Sequence, residues 1–267
     1  MTALRWASAL VTGASSGIGE CFARKLASEG TDLVIVARSV ARLEALRGEL
    51  EDLHGIDVEV LAADLSDPAE RDRVVERLGD SSRPIHLLVN NAGFGTSGRF
   101  WELDVEGEDE EVAVNVVAVV HLTHAALGAM VPRGAGTVLN VASVAGLLPT
   151  PGSATYAATK AYLNSFGDSV HEELAGTGVT LTTVLPGFTR TGFQERAKVT
   201  DEMEQRIPAF MWTTSGEVVS AALDGAAAGK ARVVPGVVYK GTSAVLDLMP
   251  RGLIRRASAA VTRGRPS

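Results

Sequence analysis

At 267 residues, 46% of them hydrophobic, the chain is long enough to bury one large core and fits a single α/β domain better than two small ones. Its net charge of −7 and pI near 5.3 exclude a general nucleic-acid binder, because phosphate recognition needs a concentrated basic face. A single cysteine, Cys21, excludes an internal disulfide framework and a cysteine-rich zinc site and suits a reducing cytoplasm, and the five scattered histidines offer no metal-ligand spacing.

In chain order, MTALRWASALVTGASS joins a positive charge to an apolar run as a signal peptide does, but it reads better as a first strand. Apolar runs at Ala7 to Val11, Leu33 to Ala37, Val58 to Ala62, His86 to Val89, Thr137 to Val141, Leu181 to Leu185 and Arg232 to Val234 read as strands. Most lack polar alternation, as expected for a sheet covered on both faces. Helical periodicity fills about 18–29, 40–53, 68–78, 109–130, 155–175 and 216–228. No run reaches the roughly 18 uninterrupted apolar residues of a membrane span; Val112 to Val120 comes nearest and carries Asn115 in its middle. The regular β-α alternation predicts one doubly wound, Rossmann-like α/β domain over 1–240, with a seven-stranded parallel sheet and helices on both faces. A basic extension follows over 241–267.

Ligands of such sheets bind beyond the carboxyl ends of the strands. After the first strand comes TGASSGIG, in which Gly13, Gly17 and Gly19 precede a helix. Glycines let backbone approach a pyrophosphate, and the helix N-terminus adds free N–H groups, so Gly13, Ser15, Ser16, Gly17, Ile18 and Gly19 are candidate nucleotide contacts. The spacing departs from G-x-G-x-x-G, and a ligand-free strand-to-helix turn is the plainer alternative. The second strand, DLVIVARS, ends without the carboxylate that takes the ribose hydroxyls of NAD. Arg38 stands there instead, a guanidinium suited to a 2′-phosphate, with Ser15, Ser39 or Arg42 as helpers; otherwise it is a solvated surface arginine. The expectation is NADP(H) in preference to NAD(H).

In TYAATKAYLN, Tyr156 and Lys160 stand one helical turn apart on one face, where an ammonium favours the phenolate. Bringing a phenol pKa from about 10 to about 7 needs roughly 4 kcal/mol, which a partly desolvated lysine beside a cationic nicotinamide could supply. The result is a general acid/base poised at working pH. Ser143, in NVASVAG after the fifth strand, stands within reach of the same carbonyl oxygen. Asn115 is a costly amide in a valine-rich helix unless it is hydrogen-bonded. NNAG, Asn90 to Gly93 with Ala92, follows the fourth strand, and PGFTRT, Pro186 to Thr191, follows the sixth.

Together these motifs resemble the short-chain dehydrogenase/reductase family, in the subgroup marked by TGxxxGxG and YxxxK, over about residues 5–235. The resemblance implies that Tyr156 donates the proton to the substrate oxygen, while Lys160 binds the nicotinamide ribose and lowers the tyrosine pKa. It implies that Ser143 polarises the carbonyl and that Asn115 holds a water feeding a proton relay to Lys160. Asp64 would face adenine, Asn90, Ala92 and Gly93 would line the ribose side, and Pro186, Gly187 and Thr191 would frame the nicotinamide. The ending, RVVPGVVYKGTSAV onward, lacks the glycine-rich closing strand of the tetrameric oxoacyl-carrier-protein reductases. It is closer to hydroxysteroid dehydrogenases and long-chain 3-oxoacyl reductases, with a homodimer through the helices carrying Asn115 and Tyr156 expected before a tetramer.

Residues 188–214 form an insertion whose apolar members include Phe193, Met203, Ile207, Phe210, Met211 and Trp212. They read as a lid over an apolar pocket with Phe94 and Leu147, or as an ordinary surface helix. The lid reading favours an apolar ketone, aldehyde, oxoacyl or steroid-like substrate, or the corresponding alcohol, over a sugar. In the tail, Leu253, Ile254, Ala257, Ala260 and Val261 oppose Arg255, Arg256 and Arg263 on a helical projection. Such a helix either lies peripherally on an anionic membrane or docks on its own domain with its arginines in water. Beside the NADP(H)-dependent oxidoreductase stand two other readings, a catalytically silent NADP(H)-sensing protein and a membrane-associated scaffold. The first has no reason to keep Tyr156 and Lys160, and the second leaves them unexplained.

Overall fold

Each apolar run becomes a strand because helices cover both of its faces. The computed structural model describes residues 5–190, 208–236 and 239. The strands are β1 (Ser8–Thr12), β2 (Asp32–Ala37), β3 (Val58–Ala62), β4 (Leu87–Asn90), β5 (Gly136–Val141), β6 (Val179–Val184) and β7 (Arg232–Val233). They form one sheet in the order β3-β2-β1-β4-β5-β6-β7, with every neighbouring pair parallel. The helices are α1 (Gly17–Ser28), α2 (Val40–His54), α3 (Pro68–Gly79), α4 (Val105–Val112), α5 (Val119–Arg133), α6 (Ala154–Glu173) and α7 (Ser215–Ala227). The doubly wound sheet expected from the sequence is therefore the observed fold.

The two-residue repeat of a strand divides the core. Ala9, Val11, Leu33, Ile35, Leu87, Val89 and Leu139 pack with Phe22, Leu26, Leu43, Leu50 and Leu223 of α1, α2 and α7. Leu10, Val34, Val36, Leu88, Val138 and Leu181 face the other way, onto Val74 and Leu78 of α3 and Leu122, Ala126 and Met130 of α5. Strand order reverses between β1 and β4, opening a crevice at their carboxyl ends.

The helix expected over 109–130 is longer and is interrupted. It starts at Val105, runs through a π-helical segment at Ala113–Ala118, and ends at Arg133 before Gly134 in the left-handed region (φ 69°). Its first turn was obscured in the sequence because EGEDEE has no apolar stripe, although acidic side chains suit a helix N-terminus. By length and mean hydropathy, 1.7 over its most apolar window, the rod Val105–Arg133 could cross a membrane; here its inner side lies against β4 and β5.

Candidate active site

The turn after β1 is shaped by what surrounds it. Gly13 and Gly17 adopt φ of 69° and 61°, conformations that side chains disfavour. Buried Thr12 accepts hydrogen bonds from the N–H groups of Asn91 and Ala92, both at 3.0 Å, and Asn91 Nδ2 donates to the Thr12 carbonyl at 2.9 Å. The glycine turn and NNAG are thus laced together. A Cβ on Gly19 would lie 2.2 Å from the Gly13 carbonyl oxygen and 2.4 Å from Asn91 Nδ2. Gly19→Ala is accordingly expected to destabilise the protein by about 1–3 kcal/mol and to weaken nucleotide binding, as checked by urea unfolding and a nucleotide titration. At the start of α1, Ser16 makes no side-chain cap bond, and the first-turn N–H groups of a helix are donors suited to an anion.

Beyond β2 and β3, Arg38 Nη1 approaches Asp64 Oδ2 at 3.6 Å, with the arginine side chain 74% exposed. Burial pushes the Asp64 carboxyl up, but two bonds from Ser66 and the charge of Arg38 outweigh it and hold the group below its ordinary pKa. Nearby, Ser15, Ser16, Glu20, Arg24, Arg42 and Glu49 line a cavity of about 340 Å³. Arg24 neutralises its acids, with Nη1 2.5 Å from Glu49 and Nη2 2.8 Å from Glu20. No described carboxylate forms an ion pair with Arg42, which leaves its charge to the cavity.

At the ends of β4 and β5 the four polar candidates meet. Asn115 Oδ1 accepts from the Phe94 N–H at 3.1 Å, while its Nδ2 donates to the Phe94 carbonyl at 2.8 Å and to Thr159 Oγ1 at 3.1 Å. This wholly buried amide braces the loop after NNAG against α6. Lys160, 4% exposed, donates from Nζ to the Val141 carbonyl at 3.0 Å and lies 5.6 Å from the centre of the Tyr156 ring. Ser143 accepts from the Ala145 N–H at 3.1 Å and is hydrogen-bonded to the Tyr156 hydroxyl. Close approach of the loop to the tyrosine requires Gly95, where a Cβ would sit 2.8 Å from the ring.

Burial dominates the electrostatics of the protein's own groups here. Burial raises the Tyr156 phenol to about 12; the Ser143 bond works against this and the charge of Glu111 reinforces it. Burial likewise lowers the Lys160 ammonium to about 8, opposed by Glu111. The tyrosine keeps part of its ring surface exposed, but its hydroxyl end is enclosed, so burial is the leading influence on the phenol and outweighs the Ser143 hydrogen bond. The protein's own groups therefore do not bring the phenol toward neutrality.

Asn90 turns its side chain into the interior. Its Nδ2 donates to Thr123 Oγ1 at 3.0 Å and Asn140 Oδ1 at 2.9 Å, within the interior. The side chain that meets the glycine turn is Asn91, within the quoted motif but one position later. Pro186 is buried behind Ser143, and its carbonyl lies 3.4 Å from the serine hydroxyl. Gly187 is pressed by the ring of Tyr239, whose hydroxyl accepts from the Phe188 N–H at 3.1 Å and donates to the Met211 carbonyl at 2.6 Å. The two ends of the 188–214 insertion meet through Thr213 N–H to Phe188 O at 2.8 Å and Arg190 N–H to Thr213 O at 3.2 Å. Trp212 lies 5.8 Å from Phe188, ring to ring. Leu147 packs with Val144 against Leu163 and Leu185. Thr191, Phe193 and the extension 241–267 lie outside the described residues.

Sequence reasoning passed over Thr12, Glu108, Glu111 and Tyr239. Only Glu111 left a usable signal, standing four residues before Asn115 in a run that reads as a solvated acidic face.

Residues 7–202 match the family described as short chain dehydrogenase. An uncharacterised oxidoreductase of Staphylococcus epidermidis is 35% identical over 187 residues, 70% of this chain and 80% of the relative. A very-long-chain 3-oxoacyl-CoA reductase of Anas platyrhynchos is 32% identical over 196 residues, 71% of this chain and 62% of the relative. A solved short-chain dehydrogenase from Sphingobium yanoikuyae, in complex with NADPH, is 34% identical with a TM-score of 0.83, covering 97% of this chain and 96% of that one. The matched stretch runs from just before β1 to beyond β6 and takes in the glycine turn and the tyrosine–lysine helix, so the chain belongs to the short-chain dehydrogenase family and is an NAD(P)-dependent oxidoreductase.

Proposed function

We propose that the protein is an NADP(H)-dependent oxidoreductase acting on the carbonyl or secondary alcohol of an apolar substrate. The observation that carries this reading is the Tyr156 hydroxyl, hydrogen-bonded to Ser143 and backed by the buried ammonium of Lys160. A nucleotide fits the cradle. Gly13, Gly17 and Gly19 leave backbone where side chains would stand, and α1 presents amides without a side-chain cap to a pyrophosphate, beside Ser15, Ser16 and Ile18. In this reading Asp64, Ala92 and Gly93 line the adenosine and ribose side, and Pro186 and Gly187 frame the nicotinamide end. The nicotinamide supplies the carbon that gives or takes the hydride.

The chain's own residues manage the proton. Tyr156 gives it to the substrate oxygen on reduction, and Ser143 donates to the same oxygen and fixes its position. Lys160 holds the ribose and carries the positive charge that favours the phenolate. Protein partners take both amide hydrogens of Asn115, so in this reading the relay water meets the remaining lone pair of its Oδ1 or the backbone of the π-helical segment.

Arg38, with Arg42 at the neighbouring cavity, supports NADP(H) over NAD(H). In Arg38→Ala the KM for NADPH is expected to rise on the order of 10-fold or more while that for NADH changes little, because one charge-assisted bond to the 2′-phosphate contributes about 1.5–3 kcal/mol. An unchanged NADPH/NADH ratio would remove the assignment. Phe94, Leu147, Met211 and Trp212 are the proposed apolar wall of the substrate site. The 3-oxoacyl-CoA reductase among the relatives supports a long acyl or similarly apolar substrate. Exposed Val112 and Val131 on the long rod, and Tyr162 on α6, support a homodimer through those helices.

The experiment is a screen of ketones, aldehydes and oxoacyl thioesters with NADPH, followed by loss of the reduced-nicotinamide absorbance. Tight NADPH binding without turnover of any of them would make the protein a nucleotide-binding module.

A further inference from the structure

We propose that Glu111 is a positioning residue of this site, sharing a buried proton with Glu108 through Thr96 and setting by its charge the protonation of Lys160. The inference deepens the oxidoreductase reading and takes its significance from it. Glu108 and Glu111 are 7% and 0% exposed, and among the described residues neither forms a salt bridge. Two unpaired carboxylates side by side in the interior would be costly.

Hydrogen counting resolves the difficulty. Thr96 Oγ1 lies 2.5 Å from Glu108 Oε1 and 2.9 Å from Glu111 Oε2. A hydroxyl has one hydrogen and an ionised carboxylate has none, so both contacts are hydrogen bonds only if one carboxyl is protonated. Glu108 already accepts from the Thr155 hydroxyl through its second oxygen. Glu111 Oε2 accepts only one other hydrogen, from the Thr96 N–H at 2.7 Å, and its Oε1 is buried without a hydrogen-bond partner. The better-solvated anion is therefore Glu108. Until Glu111 ionises the proton sits on it, so that Glu111 donates to Thr96 and Thr96 donates to Glu108; this proton leaves before Lys160 titrates, and across that titration Glu111 is an anion. Burial, the leading influence on the Glu111 carboxyl, raises its pKa in the same sense.

This chain of groups is joined to the reacting ones. Thr155 directly precedes Tyr156, Gly95 directly precedes Thr96 and touches the Tyr156 ring, and Glu111 stands one turn before Asn115. The titratable groups whose charges couple to Glu111 are Glu108 on its own helix and Tyr156 and Lys160 on α6. Ionised Glu111 favours the Lys160 ammonium and disfavours the Tyr156 phenolate, and protonated Glu111 releases both.

The test reads Lys160 directly, by carbon NMR of the full chain labelled at lysine Cε. The five lysine signals are followed against pH, and that of Lys160 is identified by its loss in Lys160→Met. In Glu111→Gln the Lys160 midpoint is expected to fall by about one pH unit while the other four stay in place. Glutamine still accepts from the Thr96 N–H, so a purely structural role would leave the midpoint unmoved, and that result overturns the proposal. Should this variant not fold, the wild-type Glu111 carboxyl signal serves. It should titrate above the ordinary glutamate range and shift a second time as Lys160 titrates, and one inflection in the ordinary range would sink the idea. Neither measurement needs turnover, so failure of the carbonyl screen and failure of this coupling are separate outcomes.

Discussion

Tyr156→Phe is expected to lower carbonyl reduction by NADPH on the order of 10³-fold, within the range that a positioned general acid contributes. The substitution removes one oxygen. The ring remains against Gly95, where the loop passes close to the Cδ2 and Cγ atoms, so the pocket keeps its shape. Ser143 loses its hydroxyl partner but retains the bond from the Ala145 N–H, and Lys160 retains the Val141 carbonyl. Binding of NADPH, followed by fluorescence, is therefore expected to stay within about threefold of wild type, an effect below about 0.7 kcal/mol. A variant that binds NADPH normally and also turns over normally would show that another group moves the proton.

Lys160→Met is expected to separate stability from function. Turnover should fall by about 10²-fold or more, because the charge that favours the phenolate and the donor that holds the ribose disappear together. The fold should nonetheless gain stability near pH 7. Burial depresses the ammonium from 10.5 to about 8, so below pH 8 the native protein carries a fully desolvated charge. Between about pH 8 and 10.5 the unfolded chain binds more protons at this site than the native one, so native stability rises with pH across that window. Methionine, of similar length and uncharged, removes this burden of up to about 3 kcal/mol, less what is lost with the Val141 hydrogen bond. Denaturant unfolding at several pH values should therefore find the variant more stable at pH 7 and the two proteins converging toward pH 10. Above pH 10 Tyr156 reverses the trend, since its native pKa of about 12 lies above the unfolded value of 10 and stability falls as pH rises through that interval. A variant less stable than wild type at pH 7 would mean that the hydrogen bond outweighs the desolvation.

The order of elements and the edge at which the chemistry lies were legible from local pattern. Uninterrupted apolar runs such as Leu33 to Ala37 can be satisfied only by burial on two faces, and alternation with helices then makes the sheet parallel. Glycine spacing after β1 and the four-residue step from Tyr156 to Lys160 carry their meaning in the backbone geometry of a turn and of a helix. That is why TGASSGIG and TYAATKAYLN could be read without coordinates.

What tertiary structure decided is everything that depends on which distant groups desolvate one another. A pattern cannot distinguish Asn90 from Asn91, because their opposite directions follow from the pleat of β4 and from Thr12, some 79 positions before Asn91. Nor can it reveal that an acidic run like EGEDEE turns two of its carboxyls into the interior, since burial of Glu108 and Glu111 arises only when α4 packs on α6. The sign of the Tyr156 shift belongs to the same class. Helical spacing places an ammonium near the phenol, but burial of the tyrosine is the leading influence on its pKa and the charge of Glu111 adds to it. Sequence by itself determined the fold and the residues that meet at its edge, because those rest on backbone periodicity. Only the packed structure set their protonation, because charge energies depend on the solvent that packing removes.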